Sequence, residues 1–338
     1  MATFDIGIDL GTTFVKIYIV HKGIVFDEPA VIAFNDKTQE VIAVGIEAYK
    51  MLGKAPSYIT VKYPLEAGVI SDYKLNELMI DEMLKRASNS MLVKPRVCIC
   101  VHSVITDVER RAVVDAAVSA GARKVYLIEE PIAAALGAGV DIAQPSGIMI
   151  VDIGGGTTDV AVISLNGIVL SKSIKIGGQM LDQAISKYML ANYKILVGEQ
   201  TAENAKKAIG TCCEPDENIK VKIKGRNMIS GLPEYQEVTQ MEIYQAIQEP
   251  LLQIRRAIRD VLEQTPPELI GDVLNSGILL TGGGALLNGM AVLVEQDTHI
   301  RTILAEEPTK NAAIGTGLAF DQLDDFFGGF INASTYEH

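Results

Sequence analysis

The chain has 338 residues, of which 48% are hydrophobic and 21% charged, a composition typical of folded soluble proteins that excludes intrinsic disorder. Its formal net charge of −12 argues against a nucleic-acid partner, because phosphate binding needs a basic surface, and against broad electrostatic attachment to anionic lipid. Because the length exceeds one ordinary compact core, we expect two lobes.

The sequence predicts a cytoplasmic protein. No apolar run reaches the roughly eighteen residues that span a bilayer. The opening FDIGIDL is strand-like and lacks a basic start and a cleavage site, so no secretory signal peptide is expected. The cysteines at 98, 100, 212 and 213 have neither zinc nor disulfide spacing, which favours reduced, structurally incidental thiols.

Strand and helix patterns alternate along the first half. The predicted elements are strands at 6–10, 15–20 and 23–34, a looser region to about 75, a helix from Leu75, a strand at 94–101, a helix opened by the capping box Thr106–Glu109 and ended by Gly121, a strand at 124–129 and a small-residue helix at 132–139. This alternation indicates an α/β architecture.

The second half continues in the same style. Its predicted elements are a strand ending near 153, a short helix from Thr201 to Gly210, a long helix opened by the capping box Thr239–Glu242, and a strand, glycine turn and helix at 277–287. The residues after Leu323 are expected to be peripheral.

One internal repeat stands out. Ile8-Asp9-Leu10-Gly11-Thr12-Thr13 resembles Val151-Asp152-Ile153-Gly154 and the Gly-Thr-Thr that follows it. Such long-range self-similarity can define a whole fold. It predicts two copies of one α/β unit that face each other across a cleft.

Three glycine turns are candidate phosphate sites, since backbone amides without side chains form concave anion sites. They are Gly11-Thr12-Thr13, Gly154-Gly155-Gly156 with Thr157 and Thr158, and Gly282-Gly283-Gly284. The strand-end residues Asp9 and Asp152 suit hydrated magnesium beside phosphate. A lone glycine triplet is more often a tight turn, and a lone strand-end aspartate is usually a cap. Their repetition favours a phosphate clasped between two hairpins, because neither the Walker pattern nor GxGxxG is present.

Glu129-Glu130-Pro131 supplies a candidate water-positioning carboxylate. Two adjacent glutamates at a strand end are more often surface charges. In a phosphate cleft, however, one of them could orient a water that attacks a γ-phosphate. Glu130 is preferred, because Pro131 fixes the backbone where the strand turns.

At this point the motifs resemble a known family. In order, DLGTT, IEEPIAAALGAG, VDIGGGTTDVAVIS and TGGGALL resemble the actin, sugar-kinase and seventy-kilodalton chaperone ATPase superfamily. TDVERRAVVDAA, GARKVYLIEEP, GEQTAENAKKAIG and TPPEL resemble its bacterial actin-like, rod-shape-determining members, MreB and Mbl. The resemblance covers about residues 4–320.

This resemblance implies an actin-like ATPase fold with two similar lobes, each a mixed sheet with helices and a smaller subdomain. The implied divisions are a first lobe at 1–140 (subdomain about 35–75), a second lobe at 141–323 (subdomain about 181–238), and a tail at 324–338 that packs on the first lobe or is disordered. Such proteins hold ATP and Mg²⁺ in the cleft. They polymerise into double protofilaments on the inner face of the cell membrane and organise cell-wall synthesis with membrane-bound elongation proteins, which maintains rod shape.

The resemblance also implies site residues. Carried over by position, the nucleotide contacts are Thr12, Thr13 and Phe14, Gly154 to Thr157, Glu203, Asn204, Ala205 and Lys206, and Gly283, Gly284, Ala285 and Leu286. Thr158 would join Glu130 in placing the attacking water. Asp9 and Asp152 would hold Mg²⁺ through water. A slow ATPase is expected.

The chain departs from the family pattern at two places. Phe14 and Val15 replace a polar Asn and Thr of the first phosphate loop, which predicts altered nucleotide contact or hydrolysis. His102 stands where the family has proline, and one histidine without partners is interpreted as a local packing change.

Membrane contact has one candidate segment. The apolar trio that begins with Met91 and Leu92 lies in a polar setting before the strand at 94–101. These residues either insert into lipid, as a short loop does in some relatives, or simply begin the strand. Because each subunit would insert only weakly, stable membrane attachment would require many subunits along a filament.

Two alternatives use the same fold. A metabolic kinase would transfer the γ-phosphate to a sugar or acetate, but the chain is short for a sugar kinase and has no separate acceptor-binding insertion. A chaperone ATPase would need a substrate-binding domain after the ATPase.

Overall fold

The computed structural model describes residues 5–66, 68–88, 94–103, 105–321 and 330–332. The elements of the first half are β1 (Asp5–Leu10), β2 (Phe14–Ile19), β3 (Gly23–Pro29), β4 (Ile32–Asn35), β5 (Glu40–Val44), α1 (Ile46–Met51), β6 (Ile59–Lys62), β7 (Leu65–Glu66), β8 (Val69–Ile70), α2 (Tyr73–Ser88), β9 (Arg96–Val101), α3 (Asp107–Ser119), β10 (Lys124–Glu129) and α4 (Glu130–Gly137).

The second half begins after a short crossing segment. Its elements are β11 (Ile148–Ile153), β12 (Thr158–Ser164), β13 (Gly167–Ile174), α5 (Gly178–Tyr193), β14 (Ile195–Leu196), α6 (Glu199–Ile209), β15 (Lys220–Asn227), β16 (Pro233–Thr239), α7 (Gln240–Gln264), α8 (Pro267–Ser276), β17 (Ile278–Thr281), a 3-10 turn (Gly283–Leu286), α9 (Met290–Thr298), β18 (Thr302–Leu304), α10 (Asn311–Leu318), a 3-10 turn (Ala319–Asp321) and β19 (Phe330–Asn332).

The two large sheets have the same strand order. The first runs β19-β10-β9-β1-β2-β3 and the second β18-β17-β11-β12-β13. In each sheet, three consecutive strands form an antiparallel meander. Two later strands lie on the other side of its first strand and run parallel to it. β19 adds an antiparallel edge strand to the first sheet. The repeat seen in the sequence is therefore a repeat of whole units, with Asp9 in β1 and Asp152 in β11.

Two short helices join the lobes at the base of the cleft. α4 and α10 pack between the large sheets, in a core that includes Ile150, Ala161 and Cys98. Gly137 of α4 lies against the Asn311 carbonyl, and Gly315 of α10 against the Ala133 carbonyl, so that a Cβ atom at either glycine would overlap backbone. Small residues thus allow the two helices to cross closely and hold the strand ends of both sheets near each other.

Each lobe also carries a small sheet. In the first lobe, β5-β4-β6 packs with α1. In the second, the sheet is β14-β15-β16, and α6 lies beside it. The Tyr49 hydroxyl of α1 donates to Glu203 Oε2 of α6 at 3.1 Å, so the two small subdomains touch across the mouth of the cleft.

The two capping boxes placed the starts of α3 and α7 correctly. The capping boxes at Thr106 and Thr239 both form, with the Glu109 and Glu242 side chains accepting from the cap backbone. The predicted start of α6 at Thr201 was wrong, because the helix begins at Glu199 after Gly198. Gly198 gives no side-chain cap, so the true start has no polar capping signature in the sequence.

Candidate functional site

The glycine turns of the two lobes lie in contact. The first turn follows β1 and the second joins β11 to β12. A Cβ atom added at Gly155 would overlap the Thr13 side chain, and one at Gly156 would lie 2.5 Å from Thr12 Oγ1. The glycine run is needed because any side chain at these positions would push the opposing turn away.

The second turn is anchored through its carbonyl groups. The Gly178 amide donates to the Gly154 carbonyl at 3.0 Å, and the Gln179 amide donates to the Gly155 carbonyl at 2.8 Å. These donors form the N-terminus of α5, so the helix's first amides fix the turn. In the described residues, no acceptor bonds the amides of Gly155 and Gly156. Two backbone donors at the tip of the turn are therefore available for an anion.

Two aspartates occupy equivalent strand-end positions. Burial raises the pKa of Asp9 to about 6, with Lys16 opposing the rise and Glu130 adding to it. Burial also raises the pKa of Asp152 well above its usual range, and Glu130 and Asp159 add to it. The cleft thus concentrates buried carboxyl groups. A divalent cation fits this donor set, since hard cations prefer carboxylate and water oxygens.

The third glycine turn packs on the end of β11. Gly282 has a φ of +83°, a left-handed conformation that favours glycine. A Cβ atom there would lie 2.5 Å from Asp152 Oδ1, and Gly284 lies against Ile153. Ala285 is buried in the core, whereas the Leu286 side chain is exposed.

The α6 residues lie on the other side of the second turn. Lys206 Nζ donates to the Gly178 carbonyl at 2.8 Å and pairs with Asp182 at 2.9 Å. Glu203 accepts from Tyr49 and pairs with Lys207 at 2.7 Å. Ala205 is buried in the core and Asn204 is exposed. Of the four predicted α6 residues, Lys206 lies nearest the glycine turns, through Gly178.

The first turn continues into an unusual residue. Phe14 begins β2 and is 38% exposed. The Nζ atom of Lys16 lies 5.2 Å from the centre of its ring. The structure thus places an aromatic face and a lysine at the edge of the first turn, where sequence reasoning noted only the loss of polar side chains.

Glu130 and Thr158 occupy different settings. Glu130 is the first residue of α4, and its side chain is 13% exposed. Thr158 begins β12, is fully buried, and donates its hydroxyl to the Ile176 carbonyl at 2.7 Å. Glu130 therefore has a second carboxylate oxygen that can accept a hydrogen bond from water. The Thr158 hydroxyl already donates its proton to the Ile176 carbonyl.

The interpretation of His102 as a packing change was wrong, because the residue has several polar partners. Its Nδ1 atom lies 2.7 Å from Glu130 Oε2 and 3.2 Å from Asp159 Oδ2. The Thr157 hydroxyl lies 3.4 Å from the same nitrogen. Burial alone would lower the pKa of His102, but the Glu130 and Asp159 carboxylates hold it well above its usual range. The two carboxylates therefore favour the charged imidazolium form of His102.

A signal for this contact existed in the sequence. β9 and β10 are parallel neighbours, with Val101 paired to Glu129. The next residues along the two strands are His102 and Glu130, so the register brings them together. Pairing those two strands before judging the histidine alone would have found the contact.

Some predicted residues fall outside the described part of the chain. These are Met91 and Leu92 of the candidate membrane segment and the tail at 324–338, apart from residues 330–332. Within the described residues, no helix combines the length and apolar character needed to cross a membrane.

Comparison with known proteins agrees with this geometry. A family model described as MreB/Mbl protein matches residues 3–327. The chain is 44% identical to the cell shape-determining protein Mbl of Bacillus subtilis over 321 residues, covering 95% of this chain and 96% of that protein. It is 45% identical to the cell shape-determining protein MreB of Escherichia coli over 330 residues, covering 96% and 95% of the two chains.

Solved structures give the same result for the fold. MreB5 of Spiroplasma citri bound to ADP superposes with a TM-score of 0.90 at 36% identity, covering 95% of this chain and 97% of that one. A MamK double helical filament superposes with a TM-score of 0.79 at 20% identity, which bears on the fold alone. The predicted actin-like fold with two similar lobes is confirmed, and the chain belongs to the MreB/Mbl protein family.

Proposed function

We propose that this protein is an ATP-binding, filament-forming cytoskeletal protein that organises cell-wall synthesis and so maintains cell shape. The observation that carries the proposal is the contact between the two glycine turns, Thr12 and Thr13 on one lobe against Gly155 and Gly156 on the other. One ligand between these turns touches both lobes. Its binding therefore sets their relative position and the shape offered to a second subunit.

The chain's own residues have separate roles in this proposal. The free amides of Gly155 and Gly156 donate to phosphate oxygens, and Lys206 adds positive charge near the same turn. Asp9 and Asp152 would hold Mg²⁺ through water, and a bound magnesium ion would supply charge neutralisation for the phosphates. Glu130 orients the attacking water, and the packing of Thr158 keeps the β12 strand end in place beside it.

The relatives support this function over the two alternatives. Crystal structures of MreB5 hold ADP and AMPPNP, and both curated relatives are cell shape-determining proteins. Within the described residues, the lobes consist of the two repeated units and their small sheets, which leaves no additional acceptor-binding domain for a metabolic kinase.

A patch of apolar side chains supports self-association. The hairpin between β15 and β16 exposes Ile229, Leu232 and Met228, with Ile229 82% exposed. A cluster of this kind at the tip of a hairpin is typical of a contact surface. The proposal places a second copy of the chain there, as in a protofilament, and two protofilaments in each filament.

Sedimentation with ATP, ADP or no nucleotide tests the proposal. We expect pelleting with ATP, filaments by electron microscopy, and loss of both in an Ile229→Asp variant that still binds ATP. Val108→Asp is the matched control, because Val108 is also exposed but lies on α3. Measurable ATP binding without any polymer would contradict the filament proposal, and no ATP binding would contradict all of it.

Membrane attachment and the wall-synthesis partners are part of the same proposal. It places the filaments on the inner face of the cell membrane, with contact through Met91 and Leu92. Co-sedimentation with anionic liposomes should require ATP. The double variant Met91→Ser, Leu92→Ser should lose liposome binding but still form filaments. Equal liposome binding by this double variant would exclude these residues as the lipid contact.

A further inference from the structure

His102 joins three elements at the centre of the cleft. It directly follows β9, and its Nδ1 atom contacts Glu130 at the start of α4 and Asp159 on β12. Its ring also packs on the backbone of Gly68, where a Cβ atom would lie 2.6 Å from His102 Cδ2. The ring is thus held between backbone on one side and two carboxylates on the other.

The charges around His102 are mainly negative. Glu130 of α4 and Asp159 of β12 touch it, and Asp9 of β1, Asp152 of β11 and Glu109 of α3 act on it from further away. The ligand atoms of His102, Glu130 and Asp159 all lie within 4.8 Å of one another. A cation between two carboxylates this close offsets their mutual repulsion.

Glu130 needs a fixed orientation to position water. It must accept a hydrogen bond from the attacking water, and a carboxylate held in one rotamer does this better than one that rotates freely. Nδ1 of His102 lies 2.7 Å from Oε2 of Glu130 in an ion pair, which holds the carboxylate in place and leaves its other oxygen for water. In the described residues, His102 is the cation in contact with Glu130.

We propose that His102 is a positioning residue for ATP hydrolysis, which holds the Glu130 carboxylate in its orientation through the ion pair between His102 Nδ1 and Glu130 Oε2. This inference rests on the proposed function, because it assumes that Glu130 orients the attacking water. His102 itself touches neither phosphate nor the reacting water in this role.

A purely structural role is the competing explanation. Asp159 Oδ1 is buried with no hydrogen-bond partner, so His102 also compensates the Asp159 charge. Removing His102 alone would therefore both destabilise the fold and disturb Glu130. A variant that also neutralises Asp159 separates the two effects.

The test measures single-turnover ATP hydrolysis at matched filament mass, together with ATP affinity. His102→Ala should lower kcat about tenfold or more and change the ATP dissociation constant less than about twofold. His102→Asn should restore part of kcat, because its amide nitrogen lies near the position of Nδ1. His102→Ala with Asp159→Asn should recover thermal stability but not kcat.

Two further measurements use the link to Glu130. In a Glu130→Gln background, His102→Ala should change kcat less than about twofold, because the ion pair between His102 and Glu130 is already lost. The wild-type kcat should fall at alkaline pH as the imidazolium loses its proton, and His102→Asn should lack that fall.

The outcomes separate this inference from the proposed function. An unchanged or increased kcat in His102→Ala, with active wild type, overturns the inference and leaves ATP-driven assembly standing. Full recovery of kcat in the double variant with Asp159→Asn also overturns it, since the role would then be structural. A wild type that binds no ATP overturns the proposed function instead.

Discussion

The two lobes present equivalent turns but hold them in different ways. The second turn is fixed by α5 of its own lobe, through the amides of Gly178 and Gln179. The first turn is tied to the chain that enters and leaves the small sheet, since Ala30 donates to the Thr13 carbonyl at 2.9 Å and Gly68 to Thr12 Oγ1 at 3.0 Å. The second turn is thus bonded to a helix of its own lobe, whereas the first is bonded to the chain on both sides of the small sheet.

This difference has a functional consequence. Under the proposed function, a nucleotide between the turns would act on the first turn, and through it on the chain that leads to β4. Tyr49, on that small subdomain, contacts Glu203 of α6. We therefore expect nucleotide binding and the contact between the small subdomains to favour the same closed arrangement.

The largest expected effect comes from breaking the contact between the turns. Gly155→Val places a side chain where Thr13 lies, so the turns separate and ATP affinity should fall at least about hundredfold. Isothermal titration calorimetry measures the affinity, and circular dichroism checks the fold. Gly271→Val in α8 is the control, because no atom lies within 4 Å of a Cβ there. Wild-type affinity in Gly155→Val would show that the turns do not clasp the nucleotide.

The paired aspartates give a pH-dependent effect. The pKa of Asp9 is raised from 3.8 to about 6 by burial, so the folded state binds its proton more tightly than the unfolded state. Its contribution to stability is therefore present below about pH 4 and is lost as pH rises through 6. The full rise corresponds to about 3 kcal/mol, an upper value because Asp9 keeps some solvent contact.

Thermal melts with EDTA and without nucleotide test this directly. Asp9→Asn should melt higher than wild type at pH 7, and the gap should shrink toward pH 4. Asp115→Asn, an exposed carboxylate on α3, should leave the pH profile unchanged. A parallel pH profile for wild type and Asp9→Asn would contradict the assigned burial effect.

The smallest expected effect comes from the contact at the cleft mouth. Burial and the nearby Glu203 raise the pKa of Tyr49 to about 12, so its hydroxyl stays a neutral donor. Tyr49→Phe removes one hydrogen bond, worth about 1 kcal/mol, and should weaken ATP binding two- to fivefold. Tyr58→Phe is the control, because Tyr58 is exposed and directly precedes β6 of the same small sheet. Equal ATP affinities in the two variants would show that the Tyr49–Glu203 contact does not contribute to closure on the nucleotide.

The sequence predicted the features that depend on local chemistry or repetition. The capping boxes at Thr106 and Thr239, the Asp-Gly-Thr repeat and the third glycine turn were all visible as short motifs. The contacts it missed join residues far apart in the chain. Glu130 meets His102 through strand register, and Tyr49 meets Glu203 across the cleft. Neither contact has a local signature, so each requires the arrangement of elements first.

Hydrogen–deuterium exchange with and without AMPPNP and magnesium tests the central claim most directly. The account predicts that residues 11–14 and 154–158, on different lobes, gain protection together, along with 282–286. It also predicts protection near Tyr49, because the first turn and the small sheet close together. Protection confined to one lobe, or none at either turn, would contradict the claim that both turns clasp one nucleotide.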